Sequence, residues 1–138
     1  MLETQISVSL ATLPNFLAFF SLGIAISLAF AFLYTAVTPH HEFTLIRGGN
    51  MAAAIAFGGA LIGFEAPLAS AIIHSLSLID MAVWGIVALL VQLLVYLVAR
   101  LCDSRLSERI AGGDASAGVF VATLSVAVGM LNAACITY

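Results

Sequence analysis

The sequence predicts an all-α membrane protein whose helices cross the bilayer four times. Of its 138 residues, 63% are hydrophobic and only 8% are charged. Soluble domains carry about 25% charged residues because their surfaces face water. The apolar residues also fall into four long runs with short connections between them, and about twenty apolar residues are enough for one helix to cross the hydrocarbon core.

The four predicted spans account for most of the chain, which we interpret as a single membrane domain over residues 1–138. Short connections make consecutive helices antiparallel neighbours in a bundle. The first twelve residues contain Glu3 but no Lys or Arg, so they lack the basic start of a secretory signal peptide, and the first span is expected to be retained. The spans run from about 13 to 37, 51 to 73, 81 to 101 and 115 to 137.

The arginines predict the orientation. Arg47 lies between the first and second spans, Arg100, Arg105 and Arg109 lie in or beside the connection between the third and fourth, and the chain has no Lys. Positive residues in short loops are retained on the cytoplasmic side. We therefore expect both connections to face the cytoplasm and both termini to face out.

The two arginine-bearing connections resemble each other. The sequence IRGGN at 46–50 matches IAGGD at 110–114, an offset of 64 residues. This match predicts two parallel repeats of one helix pair, over about 13–73 and about 81–137. Asn50 and Asp114 then fit as N-caps of the second and fourth spans, because their side chains accept hydrogen bonds from free amides at a helix start.

A short interfacial element is predicted in each connection. In the first, Thr38 and Pro39 read as an N-cap and a first helical residue, and the helix would end at Arg47 before Gly48. In the second, Leu106 and Ile110 alternate with arginines four residues apart, which is typical of a small amphipathic helix.

Arg47, Arg105 and Arg109 are the docking candidates in these connections. Arginines at the cytoplasmic interface would contact anionic lipid headgroups or a cytosolic partner. The alternative is that both connections are ordinary turns.

The chain resembles a known family of small bacterial inner-membrane proteins, the YjfL-like group classed as family three hundred and fifty of the domains of unknown function. The resemblance extends over essentially the whole chain and implies paired membrane helices in repeat and a bacterial inner-membrane location, but no activity. It rests on Tyr34, Thr38-Pro39-His40, Glu42, Leu45-Ile46, Asn50, Ala52-Ala53, Leu61-Ile62-Gly63, Pro67-Leu68, Ser70-Ala71, Trp84-Gly85, Gln92-Leu93-Leu94-Val95, Leu106-Ser107-Glu108, Ala117-Gly118 and Asn132-Ala133-Ala134-Cys135.

Small residues recur at helical spacing on three of the spans. Since lipid supplies no hydrophobic drive between helices, close packing in membranes depends on such residues. The third span is bulkier, and we expect lipid to cover more of it. The stripes are Gly23, Ser27, Ala31 and Thr35 on the first span, Ala52, Ala56, Gly59, Ala60 and Gly63 on the second, and Ser125, Gly129 and Ala133 on the fourth.

Glu65 is the main candidate for a transport pathway. It lies fourteen residues into the second span, about 21 Å along the helix, where an ionised carboxylate costs roughly 2.5 kcal/mol or more. Pro67 lacks an amide and leaves the carbonyl of Gly63 without its helical partner, which favours a kink. The alternative is that Glu65 is close enough to the outer surface to be protonated or hydrated.

Gln92 and Asn132 are the other pathway candidates, because polar amides inside spans either bond neighbouring helices or line a pathway. His40, His41 and Glu42 invite a metal interpretation, but adjacent residues on a helix diverge by about 100°. No metal site and no cofactor is therefore predicted. Cys102 and Cys135 fit neither a disulfide framework nor a zinc site, and free thiols at opposite membrane faces are expected.

The sequence contains no phosphate-binding loop, nucleophile elbow or metal-binding pair on one helix face, so an enzyme is not expected. The net charge of −3 argues against a nucleic-acid surface. The leading hypothesis is an oligomeric channel or transporter for an ion or small solute, since four helices enclose little lumen and several subunits would be needed. The alternative is a membrane scaffold or envelope-stress partner that docks cytosolic proteins or anionic lipid.

Overall fold

The structure, a computed structural model, describes residues 1–137 and is all-helical over that range. Four of its helical stretches are long and apolar enough to cross a membrane. The helices are α1 Leu2–Ala11, α2 Leu13–Val37, α3 Glu42–Arg47, α4 Met51–His74, α5 Leu78–Cys102, α6 Leu106–Ala111 and α7 Ala115–Cys135.

The predicted spans correspond to α2, α4, α5 and α7, and each boundary lies within three residues of the expected one. Helix α1 was not anticipated. It meets α2 at Thr12, whose backbone stays helical, and the two form one apolar stretch over Leu2–Val37. At 1.5 Å per residue this stretch is about 54 Å long, so it is longer than the roughly 30 Å hydrocarbon core.

Helices α4 and α7 run parallel and in close contact. The backbone of Gly118 faces Ala52, and farther along Gly59 faces Ala122 and Gly63 faces Ser125, so residue numbers increase in the same direction on both helices. Helices α2 and α5 are also parallel and run the opposite way, with Gly85 against Ile26 and farther along Tyr34 against Tyr96.

Small residues from the stripes on the second and fourth spans make the contact between α4 and α7. A Cβ at Gly59 would overlap Ala122, and one at Gly63 would overlap the backbone of Ser125. A Cβ at Gly129 would overlap the carbonyl oxygen of Gly63. The absence of these side chains lets the two backbones touch, which maximises dispersion contact where no hydrophobic drive exists.

The prediction that the third span is the most lipid-exposed was wrong. Helix α5 buries eight residues in the bundle, including Gly85, Ala88 and Ala99, and the absence of a side chain at Gly85 leaves room for Ile26 of α2 and Leu68 of α4. Helix α2 buries only Gly23, Phe30 and Tyr34. The prediction was based on the bulky Leu and Trp residues of α5 and did not take its small residues into account.

We name the two links connector 1 (residues 38–50) and connector 2 (residues 103–114). They end with the same backbone geometry. Gly49 and Gly113 have φ of 85° and 84°, a left-handed conformation that favours glycine. The amide of Asn50 donates to Leu45 at 2.9 Å, and that of Asp114 donates to Arg109 at 2.9 Å. The two turns therefore share one backbone geometry at positions 64 residues apart. That the repeat extends over the helices stays a prediction.

The predicted helix in connector 1 begins later than expected. Residues 38–41 are not helical, and α3 starts at Glu42 rather than at Pro39. Thr38 is instead the C-cap of α2. The expected end was right, because α3 stops at Arg47 and Gly48 is its C-cap. In connector 2, α6 matches the predicted amphipathic element, with Leu106 and Ile110 fully buried.

Candidate functional site

Of the three pathway candidates, Gln92 is the most deeply buried, with 2% of its surface exposed. Its Nε2 donates to the carbonyl oxygen of Gly63 at 2.9 Å and lies 3.4 Å from that of Ser125. These bonds tie α5 to the close contact of α4 and α7. The carbonyl of Gly63 is the one that Pro67 leaves without a helical partner. Pro67 itself lies inside a continuous α4, and the kink stays a prediction.

Glu65 lies on another side of α4. It is two residues beyond Gly63, or about 200° around the helix, so it cannot share a site with Gln92. Seven residues separate it from Ile72, which places both on nearly the same face, and Ile72 contacts Gly23 of α2. Glu65 is half-buried and makes no hydrogen bond or ion pair within residues 1–137.

Asn132 lies toward the far end of α7 and is also half-buried. Its Nδ2 is buried without a hydrogen-bond partner among the described residues. One residue on, the carbonyl of Ala133 accepts a 2.8 Å hydrogen bond from Ser70 of α4. The structure thus places Glu65, Gln92 and Asn132 at separate positions rather than in one cluster.

Arg109 is engaged within connector 2. It pairs with Asp103, its Nε donates to Asp114 at 2.8 Å, and its Nη2 donates to Ser116 at 3.0 Å. Hydrogen bonds from Ser116 and then Arg109 lower the pKa of Asp114 to about 2. A hydrogen bond from Arg109 also lowers the pKa of Asp103. Arg109 therefore holds α6 to the neighbouring ends of α5 and α7.

The other two docking candidates are more available. The side chain of Arg105 is 79% exposed, and its partner Glu108, 3.4 Å away, is 74% exposed. Arg47 is exposed and forms no ion pair with the described residues. The groove between the connectors, about 330 Å³, is lined by both glycine turns and Asn50 rather than by arginine.

A buried polar cluster lies in connector 1, at the residues that the sequence analysis considered as a metal site and rejected. His40 is 5% exposed and Glu42 is 1% exposed. Nε2 of His40 lies 2.9 Å from Oε1 of Glu42, an ion-pair distance without hydrogen-bond geometry, and neither atom has a hydrogen-bond partner among the described residues. The hydroxyl of Thr38 donates to Oε2 of Glu42 at 2.7 Å. A charged carboxylate so deeply buried is stable only when paired and hydrogen-bonded.

The same cluster joins the two connectors. Nδ1 of His40 lies 2.8 Å from the hydroxyl of Ser107 in α6. On its membrane side, the ring of Tyr96 packs edge-on against His40 at 6.2 Å and against Tyr34 at 5.8 Å. The hydroxyl of Tyr34 is buried without a partner among the described residues. Polar atoms therefore continue from connector 1 into the bundle.

The sequence contained a signal for this cluster. Pro39 after Thr38 restricts the backbone of the preceding residue to extended conformations, which is why residues 38–41 do not continue a helix. The sequence analysis treated this segment as helical, and on a helix the side chains of adjacent residues point in different directions. On a non-helical segment His40 and Glu42 meet side by side, so the geometric premise used against a shared site was wrong. Among residues 1–137 no group of three potential metal ligands is present.

Aromatic side chains pack between α2 and α4, starting next to the cluster. Next to the cluster, Tyr34 packs against Phe57 at 6.0 Å. One turn deeper, Phe30 and Phe64 stack at 4.4 Å, and Glu65 follows. Beyond Ile72 the interface opens into a groove of about 330 Å³, lined by Asn15, Phe16, Phe19, Phe20, Ile72 and Ser75. Glu65, the residue after Phe64, therefore lies at the depth of this stack, and the His40–Glu42 pair lies nearer the connector end.

Comparison with known proteins assigns the chain to a protein family. A family model described as "Domain of Unknown Function (DUF350)" matches residues 7–136. The chain belongs to the DUF350 family. This membership confirms the resemblance stated from the sequence. No solved structure matches the chain significantly.

The DUF350 chain has named relatives in two bacterial species. The UPF0719 inner membrane protein YjfL of Escherichia coli is 43% identical over 129 residues in both strain K12 and O157:H7, covering 94% of this chain and 98% of the relative. The UPF0719 transmembrane protein YshE of Bacillus subtilis is 25% identical over 119 residues, covering 85% and 89%. With four apolar helices, these relatives identify an integral inner-membrane protein.

Proposed function

We propose that this DUF350 protein is an oligomeric channel or transporter for an ion or small solute, seen in a closed state. The supporting observation is the order of groups along the length of the bundle. The groove opens beyond Ile72, Glu65 lies at the depth of the Phe30–Phe64 stack, and the His40–Glu42 pair lies at the connector end. Ionisable residues inside a membrane bundle generally mark an ion pathway.

The closed bundle supports an assembly of several copies. The space between α4 and α7 is filled by backbone contact at Gly59, Gly63 and Gly129, so one copy offers no lumen along that contact. A pathway along α2 and α4 would widen when neighbouring copies share the lipid-facing side of α2, which is mostly exposed in the monomer. Counting subunits in the purified protein tests this part.

Flux measured in liposomes that contain the purified protein tests transport. Glu65→Gln removes the carboxyl group with little change in volume, so flux of the transported ion should fall at least about tenfold if that group stabilises the ion by more than about 1.4 kcal/mol. Glu108→Gln, in the exposed part of connector 2, is the matched control and should transport normally. Full flux in Glu65→Gln, or no flux of any common ion in wild type, would contradict the proposal.

We also propose that the connector end faces the cytoplasm and the termini face out. All four arginines lie in or beside the connectors, which meet at one end of the bundle, and the positive-inside rule places that end in the cytoplasm. Cys102 and Cys135 are free, exposed and at opposite ends. A membrane-impermeant maleimide added to spheroplasts should label Cys102→Ser through Cys135 and should leave Cys135→Ser unlabelled. The reverse pattern would invert the orientation.

A second candidate function is docking of a cytosolic protein on the connectors. It is supported by the exposure of Arg47 and Arg105, whereas Arg109 is occupied by its own connector. Pull-down of a defined partner by wild type but not by Arg47→Gln with Arg105→Gln would favour this function. A partner retained by that double variant would exclude an arginine-based surface.

A further inference from the structure

We propose that His40 and Glu42 form a proton-binding site at the connector end of the bundle, with Ser107 as its link to water. The site deepens the proposed transport function, on which its role rests, by naming the proton as the ion bound. Its geometry is that of an imidazole between a hydroxyl and a carboxylate, at 2.8 Å and 2.9 Å.

The cluster can hold two protonation states without moving a heavy atom. When His40 is neutral, the Ser107 hydroxyl donates to Nδ1, and Nε2 stays 2.9 Å from Oε1 of Glu42. When a proton binds Nδ1, that atom donates to the Ser107 oxygen, because a serine hydroxyl can donate or accept. No buried polar atom of the pair loses its neighbour in either state. Most buried hydrogen bonds lack this freedom, and histidine is the side chain that commonly exchanges protons near neutral pH.

Glu42 supplies a fixed acceptor beside the imidazole. Glu42 faces the imidazole, and its second oxygen is held by Thr38 at 2.7 Å, so an imidazolium would have a fixed carboxylate partner in a region of low dielectric. The titratable groups that face the pair are Tyr34 on α2 and Tyr96 on α5.

The remaining neighbours do not supply a competing anion. The positive charge of Arg100, at the end of α5, interacts electrostatically with Tyr96. On α4, the apolar ring of Phe57 packs against Tyr34. Ser107 belongs to α6 and is itself not titratable.

Ser107 connects the buried pair to water. The imidazole and carboxylate are 2% and 0% exposed at their side chains, but Ser107 is half-buried and borders the connector surface. A proton taken from water can pass to Nδ1 through this hydroxyl, which gives its own proton to the imidazole and receives one from water. The proton count is conserved in that step, and no other reactant is needed.

Nuclear magnetic resonance of ¹⁵N-histidine in the full-length protein in detergent micelles tests the site without any transport. The chain has three histidines, so His40→Gln and His41→Gln assign the signals. We expect Nδ1 of His40 to gain a proton as the pH is lowered. In Glu42→Gln the protonated fraction of His40 at a fixed pH should fall, because the bound proton loses the carboxylate that lies 2.9 Å from Nε2. His41→Gln is the control and should leave the His40 signal unchanged.

Two further variants distinguish a local effect at His40 from loss of the fold. Glu42→Asp keeps the charge and should retain most of the protonated population, and Ser107→Ala removes the exchange route and should slow proton exchange at Nδ1. A His40 signal that is constant over the pH range where the protein stays folded would overturn the proposal. So would a signal that responds to replacing choline chloride with NaCl at constant pH, because the ligand would then be a metal cation.

The transport proposal fails separately. If His40 binds its proton as expected but liposomes show no ion flux, the site stands and the transport function is wrong. If flux is present, and Glu65→Gln abolishes it, while His40 never changes protonation, the transport function stands and the proton site is wrong.

Discussion

Gln92 donates its side-chain amide to the carbonyl of Gly63, the one backbone acceptor on α4 that Pro67 cannot satisfy from within the helix. The proline and the glutamine are on different helices and 25 residues apart. Their relationship explains why a buried amide on α5 and a proline in the middle of α4 occur together, since each would be costly alone.

This relationship predicts a coupled effect on stability. Gln92→Leu should lower the free energy of unfolding by about 0.5–2 kcal/mol, because a buried carbonyl loses its only donor. In a Pro67→Ala background the new amide of residue 67 can donate to Gly63, so the same substitution should cost markedly less. Unfolding by sodium dodecyl sulfate in mixed micelles, followed by circular dichroism, measures all four proteins. Equal costs in both backgrounds would mean that Gln92 acts elsewhere.

Two adjacent glycines on α4 should respond in opposite ways. Gly59→Ala places a Cβ on the backbone of Ala122, so α4 and α7 must separate, at a cost of about 1–3 kcal/mol. Gly58→Ala meets no atom within 4 Å and should be neutral or stabilising by at most about 1 kcal/mol, because alanine favours helix. Thermal unfolding in detergent compares them. Similar melting temperatures for the two variants would show that the close contact of α4 and α7 is absent in the folded protein.

Sequence reasoning worked best where the membrane itself restricts the structure. Apolar length alone located the spans to within three residues. The small-residue spacing marked faces of α4 and α7 that are suited to close packing, but it did not indicate that these two helices meet each other. Sequence reasoning also located Pro67 and the unpaired Gly63 carbonyl, but the donor to that carbonyl depends on how α5 packs and is not encoded in local spacing.

The connectors were predicted less well, for a different reason. Their glycine turns and N-caps follow from local rules, but the four residues from Thr38 to His41 do not have a periodic pattern. Whether His40 and Glu42 meet depends on the non-helical path set by Pro39 and on Ser107, which is 67 residues away. Helix α1 was missed because its polar residues interrupt the apolar run that marks a span.

Asn50 and Asp114 occupy equivalent turns but should not be interchangeable. Both cap the following helix, with Oδ1 of Asn50 accepting from Ala53 at 3.0 Å and Asp114 accepting from Ser116 at 3.1 Å. Asn50 also donates from Nδ2 to the carbonyls of Ile110 and Ala111, at 2.9 and 3.2 Å. Asn50→Asp keeps the cap but has no donor, so two carbonyls of connector 2 face an anion.

We expect Asn50→Asp to lower the free energy of unfolding by about 1–3 kcal/mol, since an unfavourable contact replaces a hydrogen bond. Asp114→Asn is the reciprocal control and should have a smaller effect, because the pair that it weakens, with Arg109, is solvent-exposed. Detergent unfolding measures both. A larger loss in Asp114→Asn would show that the connectors are held together differently.

Asp114 should also set an acid limit for connector 2. Hydrogen bonds from Ser116 and Arg109 lower its pKa to about 2 from an ordinary value of 3.8. Because the folded pKa is the lower one, these bonds favour the folded connector above about pH 4 and are lost as the pH falls from there through about 2. ¹³C resonances of the Asp114 carboxyl measure the titration. Ser116→Ala should raise the pKa towards 3.8, Arg109→Gln should raise it less, and Glu108→Gln should leave it unchanged. An Asp114 pKa that stays near 3.8 in wild type would show that the hydrogen bonds from Ser116 and Arg109 to Asp114 do not form in solution.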